Sequence, residues 1–352
     1  MSAQQSQLWI VDKGVDSRES YQQVERASLW IRQGEVVAFP TETVYGLGGD
    51  AFSSQAIEKI FAAKGRPSDN PLIVHIADEH QLTSLTNEVN DTARALIKAF
   101  WPGPLTLVLP NCGNVSPAVT AGLSTVAVRM PDHPVARAFL RACQTPVAAP
   151  SANRSGRPSP TTAQHVLDDL DGRIAGVVDG GPTGVGLEST VVDCSGAIPM
   201  ILRPGGITAE AIRDVVGDVT FDPALSESSE RPRSPGVKYT HYAPNARFVL
   251  VDGSPSFLQS YVNEARDEGL KVGVMTTEGN ADQFDSDVVL TAGNRSDLQT
   301  VAREIYNTLR MFDEYEVDVI YGEVFAEQEI GQAVMNRLLK AAGGQKVIEP
   351  TE

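Results

Sequence analysis

The chain has 352 residues, a formal net charge of -16, 41% hydrophobic and 21% charged residues. That length points to about two domains, and the acidic balance argues against tight, nonspecific nucleic-acid binding, which depends on Lys and Arg neutralising phosphates. No apolar run approaches the roughly 20 residues of a membrane helix, and the start, MSAQQSQLWIVDKGVDSRES, lacks the basic and apolar stretches of a secretory signal, so a cytoplasmic protein is expected.

In chain order, EVVAFP, PLIVHIA, PLTLVLP, STVAVRMP, TPVAAPS, AGVVDGG, STVVDC and MILRPG read as strands. They are rich in Val, Ile and Leu and end in Gly or Pro. Between them SQAIEKIFAAK, DTARALIKAF, PVARAFLRAC and TTAQHVLDDL have capped, amphipathic helical patterns. So many strands per helix imply an α/β domain with a twisted mixed sheet and flanking helices. A short helix, TAEAIRD, closes it. The segment PALSESSERPRSPGVKYTHYAPNA then has linker composition, rich in Ser, Pro and charge with no apolar period. Beyond it ARFVLVDG, KVGVMTT, DVVLTAG and VDVIYGE alternate with helices near 255–268, 295–312 and 329–342, the pattern of a smaller, Rossmann-like parallel sheet. The expected organisation is a catalytic α/β domain over 1–214, a linker over 215–246 and a second α/β domain over 247–352.

The usual chemical signatures are missing. Cys112, Cys143 and Cys194 are scattered, which disfavours a disulfide framework or a zinc site. Gly46-Leu-Gly48-Gly-Asp-Ala51 matches G-x-G-x-x-A, but Thr41 to Tyr45 separate it from the preceding strand, where a dinucleotide fingerprint needs its first glycine. There is no P-loop and no nucleophile elbow, and the five histidines lack metal-ligand spacing.

Polar groups at strand ends and in loops remain. Lys64 and Arg66 stand where a helix runs out into KGRPSDNP. They either complement the helix C-terminal dipole or meet an anion. Asn70-Pro71 adds an oriented amide before the strand that ends at His75. VAAPSANRSGRPSPT sets Ser151, Asn153 and Ser159 in a Gly/Pro-rich turn with Arg154 and Arg157, hydroxyls, amides and guanidiniums that suit phosphate and ribose. Arg129 and Arg203 each finish an apolar strand, so their charges must leave the core. Together with Lys64 and Arg66 they suggest an anionic ligand. GVGLEST sets Glu188, Ser189 and Thr190 before another strand, where the serine either joins a buried hydrogen-bond network or faces the ligand.

PTETVYGLG, the K-x-R of Lys64-Gly65-Arg66, the S-x-N of Ser151-Ala152-Asn153 and the linker segment SPGVKYTHYAPN resemble, in this order and over nearly the whole chain, the threonylcarbamoyl-AMP synthase family in its two-domain form, a YrdC-like catalytic domain with a C-terminal domain. The resemblance implies a nucleotidyltransferase that turns L-threonine, bicarbonate and ATP into threonylcarbamoyl-AMP and pyrophosphate, the first step of modifying a tRNA adenosine next to the anticodon. It assigns Lys64, Arg66, Asn70, Thr125, Ser151, Asn153, Ser159 and Arg203 to ATP, Lys64 and Arg66 being the catalytic pair. Thr43, His75, Arg129, Ser189 and the backbone near Ala149 it assigns to threonine. His241 and the linker are expected to fold over the nucleotide as a lid, which the C-terminal domain would steady. Mg²⁺ is expected with ATP, held by phosphates and water rather than by a protein metal site. Other expectations are a monomer, transient contact with the downstream transfer proteins and little direct RNA binding. No convincing general base stands out, and His75 is a candidate only by its place near the pocket.

Two other readings compete. Single-domain relatives have a concave basic surface suited to double-stranded RNA, which a net charge of -16 disfavours here. The same catalytic fold also occurs in hydrogenase-maturation proteins that adenylate carbamate, but those carry zinc-finger cysteine pairs, which this chain lacks.

Overall fold

The structure, a computed structural model, describes residues 5–15, 17–225 and 242–350. It divides into two compact units.

The first unit is built on an 11-stranded mixed sheet. Its elements run β1 (Gln7–Ile10), α1 (Arg18–Arg32), β2 (Val37–Phe39), β3 (Gly46–Asp50), α2 (Ser54–Lys64), β4 (Ile73–His75), α3 (Asp91–Phe100), β5 (Leu105–Pro110) and α4 (Pro117–Thr120). There follow β6 (Thr125–Arg129), α5 (Pro134–Cys143), β7 (Val147–Ala148), α6 (Ala163–Leu170), β8 (Gly176–Asp179), β9 (Thr190–Asp193), β10 (Met200–Arg203), α7 (Ala209–Val216) and β11 (Thr220–Phe221). The strand order is β1-β8-β2-β3-β7-β4-β6-β5-β9-β10-β11. The helices begin where the sequence supplies caps: Ser53 accepts from the Ala56 N–H at the start of α2, and Thr162 accepts from the His165 N–H at the start of α6. Helix α5 buries Val135, Ala136, Phe139 and Leu140 beside Val24, Ala27 and Ile31 of α1, so two amphipathic stripes close over Phe39 of β2. Burying a side chain of that size stabilises by roughly 1.5–3 kcal/mol.

Several parts of this sheet do not follow the simple strand pattern. Gly46–Asp50, which looks like a glycine-rich turn in sequence, is strand β3, antiparallel to β2. A Cβ on Gly48 would lie 2.7 Å from Val147 Cγ1 and 3.0 Å from Phe39 Cε1, so the strand has no room for the side chains that normally mark one. β1 is a four-residue edge strand with only Trp9 buried, too short for an alternating pattern to show. Of the segment expected as linker, residues 215–225 include the end of α7, β11, which pairs in parallel with β10, and a 3₁₀ turn over Pro223–Leu225.

The second unit carries a five-stranded sheet, all parallel, in the order β14-β13-β15-β12-β16. Its elements are β12 (Arg247–Asp252), α8 (Pro255–Asp267), β13 (Val272–Thr276), β14 (Val288–Thr291), α9 (Leu298–Tyr315), β15 (Val319–Glu323), α10 (Ile330–Ala341) and β16 (Lys346–Ile348). It also takes in Gly156–Pro158 and Val185–Leu187. Arg310 of α9 donates to the Pro158 carbonyl at 2.5 Å, and Arg157 is 3.2 Å from Asp313. The mixed catalytic sheet and the smaller parallel sheet both match the fold class expected from the sequence. Among the described residues, no helix is long and apolar enough to cross a membrane.

Candidate active site

The site grows out of strand alternation. β4 and β6 run parallel with Ile73 opposite Ala127 and His75 opposite Arg129, while β5 runs antiparallel with Thr106 opposite Arg129. Successive side chains point to opposite faces. Val74, Val126, Val128 and Leu107 therefore enter the main core under the helices. On the other face Ile73, Val108, Ala127, Val191 and Leu202 form a small apolar group, and the same alternation sets Thr106, His75 and Arg129 beside it.

Arg129 is 3% exposed, and a guanidinium so buried requires partners. Its Nε donates to the Gly103 carbonyl at 3.3 Å, Nη1 donates to Thr43 Oγ1 at 2.8 Å, and Nη2 lies 2.6 Å from Glu42 Oε1. Thr43 is fixed in turn by Thr41, whose hydroxyl lies 2.8 Å from its own and donates to the Val44 carbonyl at 2.7 Å. The PTETVYG segment is thus a polar turn folded onto the end of β6. His75, 5% exposed, meets Phe39 edge-on at 5.8 Å, and its Nδ1 is 3.2 Å from the Ile73 carbonyl. Burial first, and the Arg129 charge second, push its pKa down to about 3. A neutral imidazole with so little affinity for a proton is a poor general base at neutral pH, so its place near the pocket does not give it that role.

Ser189 stands just before β9, which lies between β5, the strand of Thr106, and β10, the strand of Arg203. Its hydroxyl is 2.7 Å from that of Thr106, and its carbonyl accepts from Arg203 Nε at 3.1 Å and Nη2 at 3.0 Å. Arg203 Nη2 also donates to the Ser189 hydroxyl at 3.2 Å. Of the two readings the sequence left open, the structure shows the buried network: Ser189 bonds with Thr106 and with Arg203. Gly205 makes this turn possible, because a Cβ there would be 2.3 Å from the Glu188 carbonyl oxygen and 2.4 Å from Thr190 N.

A second group surrounds Lys64, the last residue of α2 and 3% exposed. Its Nζ donates to the Ser151 and Asn153 carbonyls at 2.5 and 2.6 Å, and the left-handed Gly65 (φ 62°) ends the helix so that the chain can turn away. The Ser151 hydroxyl donates to Asn153 Oδ1 at 2.6 Å, which fixes the S-x-N turn around the ammonium. Arg66 Nη2 is 3.3 Å from the Asn70 carbonyl, and Asn70 Oδ1 is buried with no hydrogen-bond partner among the described residues. Thr125 begins β6, two residues before Ala127, which pairs with Ile73 of β4. Ala149 donates its N–H to the Ile73 carbonyl at 2.8 Å. Ser159 is fully buried, its hydroxyl 2.5 Å from Glu188 Oε1.

Two of the arginines noted in the sequence do not join these groups: Arg154 is exposed, and Arg157 pairs with Asp313 in the second unit. His241 and the rest of 226–241 lie outside the described residues. Glu42, Thr41, Thr106 and Gly205 were not singled out from the sequence. Glu42 and Thr41 lie inside the quoted motif, and Gly205 follows directly on the Arg203 strand, but nothing in linear order shows what they touch.

This geometry can be set beside known proteins. A family model described as "Telomere recombination" matches residues 30–205, and one described as "Threonylcarbamoyl-AMP synthase, C-terminal domain" matches residues 207–343. The chain is 54% identical to a threonylcarbamoyl-AMP synthase of Bacillus subtilis over 96% of its own length and 98% of that protein's. It is 46% identical to the threonylcarbamoyl-AMP synthase of Pyrococcus abyssi over 90% of this chain and 93% of that one. The crystal structure of P. abyssi Sua5 complexed with L-threonine superposes with a TM-score of 0.93 at 43% identity, covering 98% of this chain and all of that one.

Proposed function

The chain belongs to the threonylcarbamoyl-AMP synthase family in its two-domain form, and from that membership we propose how its residues carry the reaction. The enzyme joins L-threonine, bicarbonate and ATP into threonylcarbamoyl-AMP and pyrophosphate for threonylcarbamoyladenosine modification of tRNA. The threonine amine and bicarbonate give a carbamate with loss of water. A carbamate oxygen then bonds to the α-phosphorus as the bond to the β-phosphate oxygen breaks and pyrophosphate departs with its electron pair. Such a centre needs alignment and charge neutralisation more than a protein nucleophile.

The observation that carries the residue roles is the burial of two cations, Lys64 and Arg129, each 3% exposed and each held by turns from the family's own motifs. Lys64 takes the phosphates, with Arg66, Asn70 and Thr125 on the same side and Ser151, Asn153 and Ser159 shaping the nucleotide site. Arg129 takes the threonine carboxylate, with Thr43, His75, Ser189 and the backbone at Ala149 around it. Arg203 ties the two halves through Ser189. Mg²⁺ arriving with ATP supplies further phosphate neutralisation. Among the described residues no group of three or more His, Cys, Asp or Glu is placed to hold a metal ion. The product passes to the downstream tRNA-modifying proteins, and the protein works in the cytoplasm as a monomer.

The test is pyrophosphate release from ATP and bicarbonate, with and without L-threonine. Threonine-dependent release that disappears in both Lys64→Ala and Arg129→Ala is expected. Release that survives either substitution would remove that residue from the site.

A further inference from the structure

The threonine pocket contains one negatively charged side chain whose place in the reaction is unassigned. Glu42 leaves only 12% of its side chain exposed, and it approaches Arg129 Nη2 at 2.6 Å. The approach is close but poorly aligned: neither Glu42 carboxylate oxygen, nor Arg129 Nη2, completes a hydrogen bond of good geometry with any described residue. Glu42 therefore keeps unused acceptor capacity where a buried carboxylate normally accepts several hydrogen bonds. Thr43, which Arg129 also holds, is uncharged; burial holds the pKa of His75 at about 3, and burial likewise lowers that of His133, the imidazole near enough to feel the Glu42 charge.

A charge count decides what such a pocket can accept. Arg129 and Glu42 together are neutral. A ligand bringing only a carboxylate to Arg129 would set two carboxylates on that one guanidinium, an arrangement that low-dielectric surroundings penalise. A ligand bringing a carboxylate and an ammonium restores the balance, provided that the ammonium reaches the free Glu42 oxygen. Such an ammonium would supply the aligned donors that Arg129 Nη2 does not.

We propose that Glu42 is the specificity-determining residue that reads the α-ammonium of the amino acid, so that Arg129 and Glu42 together select a zwitterion over a simple hydroxy acid. The inference rests on the assignment of Arg129 to the substrate carboxylate. Glu42 lies next in sequence to Thr43, so one turn sets both the hydroxyl that orients Arg129 and the carboxylate that balances it.

The experiment is calorimetric titration of the full chain with L-threonine and with (2S,3R)-2,3-dihydroxybutanoate, in which a hydroxyl replaces the amine. The wild-type protein is expected to prefer threonine by at least tenfold. Glu42→Gln, similar in size but uncharged, is expected to erase that preference by weakening threonine, while the hydroxy acid binds as well as before or better. Glu42→Asp, which keeps the charge, is expected to retain part of the preference. A preference unchanged in Glu42→Gln, or weakened equally for both ligands, would overturn the proposal. Wild-type protein binding the two within about threefold would do so on its own, whatever the variants' folding. Arg129→Met separates this from failure of the underlying assignment: it is expected to lose both ligands, and if it binds both like the wild type the carboxylate assignment falls and takes the proposal with it.

Discussion

Replacing His75 by glutamine should remove a pH-dependent part of the catalytic unit's stability, and the size of that part follows from the site. His75 is buried on the strand face beside Arg129, which together hold its pKa at about 3 against the ordinary value of 6.5. Between those values the unfolded chain takes up a proton that the folded one does not. Stability supplied by the neutral ring is therefore fully present above pH 6.5 and is lost as the pH falls toward 3. Linkage gives a loss of about 2 kcal/mol at pH 5 and about 3 at pH 4, approaching a limit of about 5 kcal/mol. For a unit of this size the value at pH 5 corresponds to a fall in Tm of roughly 4–8 °C.

The assay is thermal unfolding of wild type and His75→Gln between pH 4 and 7, taking the difference at each pH so that other titrating groups cancel. The wild-type advantage should shrink by about 2 kcal/mol from pH 7 to pH 5. NMR titration of the imidazole in the folded protein should show no protonation near pH 6.5, and Arg129→Met should move its pKa upward by removing the neighbouring cation. Equal pH slopes in the two proteins, or an imidazole titrating near 6.5, would refute the reasoning. The catalytic corollary is that no limb near pH 6.5 in the rate profile belongs to His75.

Other substitutions probe the remaining parts of the site. Lys64→Met should lower threonine-dependent pyrophosphate release by roughly 10²–10³-fold, the usual cost of losing a preorganised charge donor, while threonine binding in calorimetry changes little. Gly205→Ala drives a methyl into the Glu188–Thr190 backbone and should cost roughly 1–3 kcal/mol of stability and weaken threonine binding, read by Tm and calorimetry. Gly48→Ala should destabilise through its 2.7 Å approach to Val147 Cγ1. Combined with Val147→Ala it should cost less than the sum of the single changes, and strict additivity in denaturant unfolding would show that the crowding is relieved elsewhere.

How much of this could be seen in the sequence depended on whether the signal was local. Helices such as α2 and α5 were legible because caps and apolar spacing are written into consecutive residues. Four of the five strands of the second sheet, β12 to β15, were legible because they carry apolar runs, while β16, three residues with none buried, was not. β3 was not, because Gly46, Gly48 and Gly49 answer to Phe39, Val147 and Ile60, which lie elsewhere in the chain. Local propensity there points to a turn, and tertiary crowding makes it a strand.

The site residues divide in the same way. Lys64, Arg66 and the S-x-N turn stood out because cations and amides crowd together in short segments, and the structure brings Lys64 and that turn together, the turn's own carbonyls holding the lysine. Arg129 stood out because it closes an apolar strand, where its charge was expected to leave the core; instead it stays 3% exposed, held by Glu42, Thr43 and the Gly103 carbonyl. Its partner was missed because the pair spans 129 to 42, and an acidic residue inside PTETVYGLG looks like ordinary loop polarity until the fold sets it 2.6 Å from a buried guanidinium. Once there, it changes what the pocket asks of its ligand. A lone buried arginine would favour any small carboxylate, whereas an arginine already balanced by a carboxylate favours a molecule that carries both charges. The selectivity of this pocket is therefore a property of two residues that only the fold brings together.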